Sequence, residues 1–246
     1  MSFYMAHASA GWVQLATDAA SYLTDGTIVA FTRKVHVVDG HSVAIAARGD
    51  TALTPRWVDK VDALVKRAGF DVAMAMLGDS LPHLREECAG LDVELCIAGV
   101  GAAGPAIYSF RMREETGVAI EPFRLYRSDT TVLCGEDASA WHQPIIDSRR
   151  FDLFVVEVAN MARRKQASGA ADGQRHASVG GHLDITTIDA RSVTIDTVHQ
   201  WPEDRVDEII DPYRGTNVSR LGASASFAAN RQQRRAAERE TKKRRA

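Results

Sequence analysis

Three stretches of the chain hold residue types that could do chemistry. The first, Gly99-Val100-Gly101-Ala102-Ala103-Gly104, fits the G-x-G-x-x-G pattern of a dinucleotide-binding turn, with Glu121 seventeen residues beyond Gly104. Such a loop cradles a pyrophosphate where it joins a strand to a long helix. Here Pro105 follows at once, and Ala106-Ile107-Tyr108-Ser109-Phe110 reads as a strand. A glycine-rich hairpin turn is therefore expected, with no cofactor; a nucleotide-binding enzyme would need the opposite context. The second stretch carries His176, His182 and Asp184. These are metal-ligand types without the dense spacing of a metal site, so a turn entering a strand is expected and no metal. The third is the C-terminal end, where Arg231, Arg234, Arg235, Arg239, Lys242, Lys243, Arg244 and Arg245 could meet phosphates electrostatically. With Phe227 as its one aromatic, this end lacks stacking platforms, so any nucleic-acid contact is expected to be non-specific. G-x-S-x-G, P-loop and H-E-x-x-H motifs are absent.

Elements that could position a site are legible from period and punctuation. Trp12–Ala16 is a compact apolar run after the Ala10-Gly11 turn. Lys34–Val38 and Ser42–Ala46 flank Asp39-Gly40, a strong hairpin signal. The clearest helix follows: Thr54 as cap, Pro55 at the first position, Gly69 just past the end, and Trp57, Val58, Val61, Leu64, Val65 and Ala68 along one face. A second helix is expected over 71–81, ended by Pro82. Strands are expected at 93–98, 106–110 and 118–126, a helix over 151–164, a Gly/Ala/Ser-rich linker at 166–175, and strands at 183–188 and 192–198. The order is four strands, two helices, three strands, one or two helices and two strands. Hairpins dominate it, so the sheets should be largely antiparallel with helices added in blocks.

Composition sets the bounds. The 246 residues, 45% hydrophobic and 25% charged, suit one soluble α/β-type domain. Apolar runs long enough for a membrane span and a basic-then-apolar leader are both missing, so a cytoplasmic protein without membrane contact is expected. Cys88, Cys96 and Cys134 are odd in number and lack C-x-x-C spacing, which suits reduced thiols. The net charge of −2 conceals an asymmetry. Ten of the 30 Lys/Arg but two of the 32 Asp/Glu fall in 214–246, leaving 20 basic and 30 acidic residues before it. We therefore divide the chain into a domain over 1–212 and a basic, solvated or helical tail over 213–246.

Residue matches give this order of elements a specific likeness. Val13-Gln14-Leu15-Ala16-Thr17-Asp18, then Arg33-Lys34-Val35, then Ala46-Ala47-Arg48-Gly49-Asp50 follow one another at set intervals. Glu94–Gly99 with Pro105–Tyr108, and Ser178-Val179-Gly180-Gly181-His182-Leu183-Asp184-Ile185, complete the series. Together they resemble the N-terminal-nucleophile hydrolases of the proteasome β-subunit type and the peptidase subunit of bacterial ATP-dependent proteases. The likeness spans residues 2 to about 200. In that family the nucleophile opens the mature chain, a carboxylate follows sixteen residues later, and a Lys sixteen after that. Counting back sixteen from Asp18 gives Ser2, and Lys34 lies sixteen beyond Asp18.

The resemblance implies an α+β fold, a four-layer αββα sandwich of two mainly antiparallel sheets between helices. It also implies acyl-transfer chemistry. An N-terminal Ser has its hydroxyl and α-amine on one residue, and the free amine, with a pKa of about 7.7–8, can act as general base. Ser2 would become that residue on removal of Met1, which its small side chain favours. Lys34 would tune the nucleophile, Asp18 would hold the Lys, and backbone N–H groups at Arg48-Gly49 would face the oxyanion. Ser178 would take a helper role. The implied catalytic set is Ser2, Asp18, Lys34, Gly49 and Ser178, acting on a peptide or amide within a homo-oligomer, a ring in this family, with an ATPase partner unspecified. The sequence departs from the family in having Ser for Thr at the nucleophile, Arg48 for Gly, and His176 and Val179 for the Asp and Ser that support the nucleophile. These departures leave a second reading open, a catalytically inactive scaffold or assembly protein whose basic tail contacts a partner or nucleic acid.

Overall fold

The computed structural model describes residues 3–23, 25–88, 90–113, 121–133, 151–169 and 179–212, with the side chains of 133 and 165–169 excepted. All of these belong to one compact unit, Met1–Pro212. The second unit, Tyr213–Ala246, with its basic tail, lies outside the described residues.

The described residues form an α+β fold of antiparallel sheets and three helices. Its strands are β1 (Tyr4–Ser9), β2 (Trp12–Asp18), β3 (Ala20–Tyr22), β4 (Ile28–Phe31), β5 (Val35–Val37) and β6 (Val43–Gly49), followed after two helices by β7 (Val93–Gly101), β8 (Gly104–Arg111), β9 (Tyr126–Ser128) and β10 (Thr131–Leu133), and at the end by β11 (His182–Asp189) and β12 (Val193–Gln200). The helices are α1 (Thr54–Ala68), α2 (Phe70–Ser80) with a 3₁₀ turn at Leu81–Leu84, and α3 (Phe151–Gly169). One five-stranded sheet has the order β10-β1-β2-β11-β12, the other β5-β6-β7-β8-β9, and β3-β4 form a separate ribbon.

Strand alternation explains why the inner strands are apolar nearly throughout. Val43, Ile45, Val93, Leu95, Ile97 and Phe110 pack with Trp57, Val61, Val65, Phe70 and Met74 of α1 and α2. Met5, Ala16, Leu183 and Ile185 pack with Phe154, Val155, Val158 and Ala159 of α3. A third cluster joins the two sheets through Tyr4, Ala6, Ala8, Val13, Leu15, Ala44, Ala46, Cys96, Ala98 and Ile107. Large residues thus meet the helices, while alanines supply much of the third cluster, letting backbones approach closely. Each large side chain removed from water contributes about 1.5–3 kcal/mol, so these three cores hold the unit together.

Several boundaries differ from expectation for identifiable reasons. Six strands precede α1 instead of four, because the β3-β4 ribbon is short and Val29 and Phe31 stay exposed, which hides its alternation. Leu53, not Thr54, is the cap residue of α1, and it makes no side-chain cap bond. Asp50 Oδ1 takes the amides of Ala52 and Leu53 instead, at 2.7 and 3.2 Å. Of the strand expected at 118–126, residues 121–125 form turn and loop, and pairing starts at Tyr126. Helix α3 runs on to Gly169, into the expected linker. The glycine loop is a hairpin turn: Gly101 pairs with Gly104 across β7 and β8, and Ala102 donates its amide to Asp71 of α2 at 2.8 Å. A Cβ at Gly101 would lie 2.2 Å from that carboxylate, so glycine serves helix packing here and no nucleotide-cradling helix follows.

Candidate active site

The β1-β2 hairpin brings the chain's beginning to Asp18. Its register pairs Tyr4 with Thr17, and the ladder continues one step further, where the Phe3 and Asp18 backbones meet. Asp18 is fully buried, and burying a carboxylate is costly unless donors surround it. Three do. The Phe3 amide donates to Oδ1 at 2.9 Å, Lys34 Nζ donates to the same oxygen at 2.9 Å, and the Gly180 amide donates to Oδ2 at 3.2 Å. Lys34 keeps 11% of its side-chain surface exposed, so the pair sits just beneath the molecular surface. Charge-assisted bonds of this kind contribute about 1.5–3 kcal/mol each.

Each partner arrives on a different element. Lys34 precedes β5, while Gly180 opens the turn into β11 and accepts the amides of Ala19 and Ala20 at 3.2 and 3.0 Å. Lys34's neighbour Arg33 reaches a second acid: its Nε lies 3.3 Å from Asp184 Oδ2 on β11. Asp184 also accepts from Thr197 at 2.6 Å and lies 3.4 Å from His182 Nε2. His182 and Asp184 are thus tied into a protein network, and among the described residues no cluster of three metal-ligand types forms.

Gly49 ends β6, whose Ala46 pairs with Val35, the residue after Lys34. Its φ of +119° is a left-handed value, and a Cβ there would lie 2.0 Å from the Asp92 carbonyl, so only glycine fits. Beside it, the Arg48 side chain crosses to β7, its Nε 3.3 Å from Glu94 Oε2. Glu94 also accepts from the Tyr4 hydroxyl, linking the two sheets. Ser2, His176 and Ser178 lie outside the described residues, as does Cys134.

The structure therefore brings Asp18 and Lys34 together, with Phe3 and Gly180 as main-chain partners. The family spacing does not mark Phe3, Tyr4, Arg163 or Asp204. For Arg163 a signal existed: it stands four residues beyond Ala159 and eight beyond Val155, on the apolar stripe of α3. No protein-family model matches the chain, and no curated protein matches it.

Proposed function

We propose that this chain is a proteasome-like N-terminal-nucleophile hydrolase, cleaving a peptide or amide bond with Ser2 once Met1 is removed. One observation carries the reading: a single buried carboxylate oxygen, Asp18 Oδ1, accepts both the Phe3 amide and the Lys34 ammonium. Ser2 is the residue whose carbonyl forms that Phe3 amide bond, so the chain's new terminus would be tethered one residue from the ion pair.

In this reading the Ser2 hydroxyl attacks the substrate carbonyl and its proton passes to the Ser2 α-amine. The Lys34 charge favours the neutral amine and stabilises the developing oxyanion of the nucleophile, and Asp18 fixes the Lys. Amide N–H groups at Arg48-Gly49 donate to the tetrahedral oxyanion. The protonated amine then donates to the leaving nitrogen as the carbon–nitrogen bond breaks. Water attacks the acyl ester, returning the hydroxyl and releasing the acid.

The three cores support a four-layer order, α1 and α2, sheet, sheet, α3, since each core joins two successive members of that series. Assembly into a cytoplasmic homo-oligomer belongs to the same reading. A second one, an inactive scaffold of the same fold, draws on two observations. Arg48 stands at a family glycine position with its side chain committed to Glu94, and buried Val179 occupies a helper position.

Intact mass combined with turnover of a fluorogenic peptide amide separates the two. The hydrolase predicts loss of Met1, turnover kept by Ser2→Thr and abolished by Ser2→Ala. Retention of Met1, or turnover indifferent to Ser2→Ala, would remove Ser2 from the mechanism.

A further inference from the structure

We propose that Arg163 and Asp204 are positioning residues that hold the Gly180–Gly181 turn and thereby set Asp18 against Lys34. For its catalytic meaning this rests on the hydrolase reading, but its geometry stands on the clamp alone. Arg163 is 2% exposed on the inner face of α3, and an unmatched guanidinium there would be prohibitive. Its two terminal nitrogens make four hydrogen bonds. Nη1 donates to Asp204 Oδ2 at 2.7 Å and to the Val179 carbonyl at 2.8 Å. Nη2 donates to Asp204 Oδ1, completing a fork, and to Glu203 at 3.2 Å. The guanidinium also lies 5.2 Å from the Trp201 ring centre.

What the clamp grips is the turn. Asp204 Oδ2 accepts the Gly181 amide at 2.7 Å, while Arg163 holds the Val179 carbonyl. Gly180, whose amide binds Asp18, is therefore held from both sides. The fit leaves no slack: a Cβ on Gly180 would lie 2.6 Å from Asp204 Oδ2 and 3.0 Å from Arg163 Nη1, and Gly181 has φ +79°. A buried ion pair is a poor device for stability, since apolar residues of equal volume often stabilise more. As a fixed fork with directional bonds, however, it dictates where one amide points.

The test reads Lys34 directly. Folded full-length protein is labelled with limiting acetic anhydride, and acetylation of Lys34 relative to Lys60 and Lys66 is measured by mass spectrometry. The variants are Asp204→Asn and the conservative Arg163→Lys, with Val158→Ala, a cavity in the same α3 core, as the stability control. The clamp predicts that Asp204→Asn raises Lys34 acetylation about tenfold, the loss of one charged contact. Arg163→Lys should raise it less, and the control not at all. In a turnover assay kcat should fall with KM unchanged. If wild-type protein turns over no substrate, the hydrolase reading fails while the labelling still decides the clamp. Wild-type labelling in Asp204→Asn, an equal rise in Val158→Ala, or failure of both clamp variants to fold would each overturn the proposal. The last outcome would assign the clamp to the whole fold instead of the site.

Discussion

Asp18 has no exposed surface, yet its two oxygens serve three donors, so each donor's removal should be felt. Asp18→Asn keeps the shape while stranding the Lys34 charge and forcing an amide nitrogen towards another donor. We expect a loss of about 3 kcal/mol in urea unfolding; a loss under about 0.5 kcal/mol would show that the pair is solvated and slack. Asp18 and Lys34 were legible in the sequence through a matched family spacing, not through any local property of either residue. Their main-chain partners were not, because an amide carries no side-chain signature. Arg163 was legible in principle, since a guanidinium on an apolar helical stripe must find a buried acid. Which acid depended on the path of the chain some 41 residues later, which periodicity does not encode.

Elements were easiest to read where local chemistry and burial agree. The α1 stripe, Pro55 and Gly69 all act as their types require, with Gly69 closing the helix through its amide to Val65. The Asp39-Gly40 hairpin and the glycine turn at 99–104 likewise follow from turn chemistry. Where the two disagree, reading failed. The β3-β4 ribbon turns apolar Val29 and Phe31 to solvent, and Asp50 replaces Thr54 by supplying a capping oxygen from outside the helix. Gly49 marks a sharper constraint than the sequence implied, being left-handed and jammed against Asp92. Gly49→Ala should therefore cost about 3 kcal/mol or more, read by thermal or urea unfolding. A near-neutral result would mean that the β6 end can relax away from β7.

For the whole molecule, the described unit couples both sheets and α3 through residues far apart in sequence. His7 illustrates the link between one sheet and α3: on β1, its ring lies 5.8 Å from Phe151 of α3 and 5.9 Å from Trp12 of β2, and Nδ1 meets Thr131 of β10 at 2.9 Å. Burial holds this imidazole below its ordinary range. His199 is lowered as well, by burial first and by Arg163, against the opposing pull of Glu203. With folded values below unfolded ones, the unfolded chain binds protons more readily at these two sites, so their contribution to stability is fully present above about pH 6.5 and is lost as acid is added. Thermal midpoints should decline below that pH, and His7→Gln should flatten the decline; an unchanged slope would show His7 to be solvated.

The proposed hydrolysis requires that a hydroxyl and a free α-amine share one residue beside the Asp18–Lys34 pair. A peptide epoxyketone asks this in a single step, because it needs both groups: the hydroxyl adds to the ketone and the amine opens the epoxide. Intact mass after incubation should show the chain without Met1 carrying one inhibitor, with no adduct on Ser2→Ala. A processed wild-type chain that stays unmodified at saturating inhibitor, or an adduct that persists in Ser2→Ala, would contradict it.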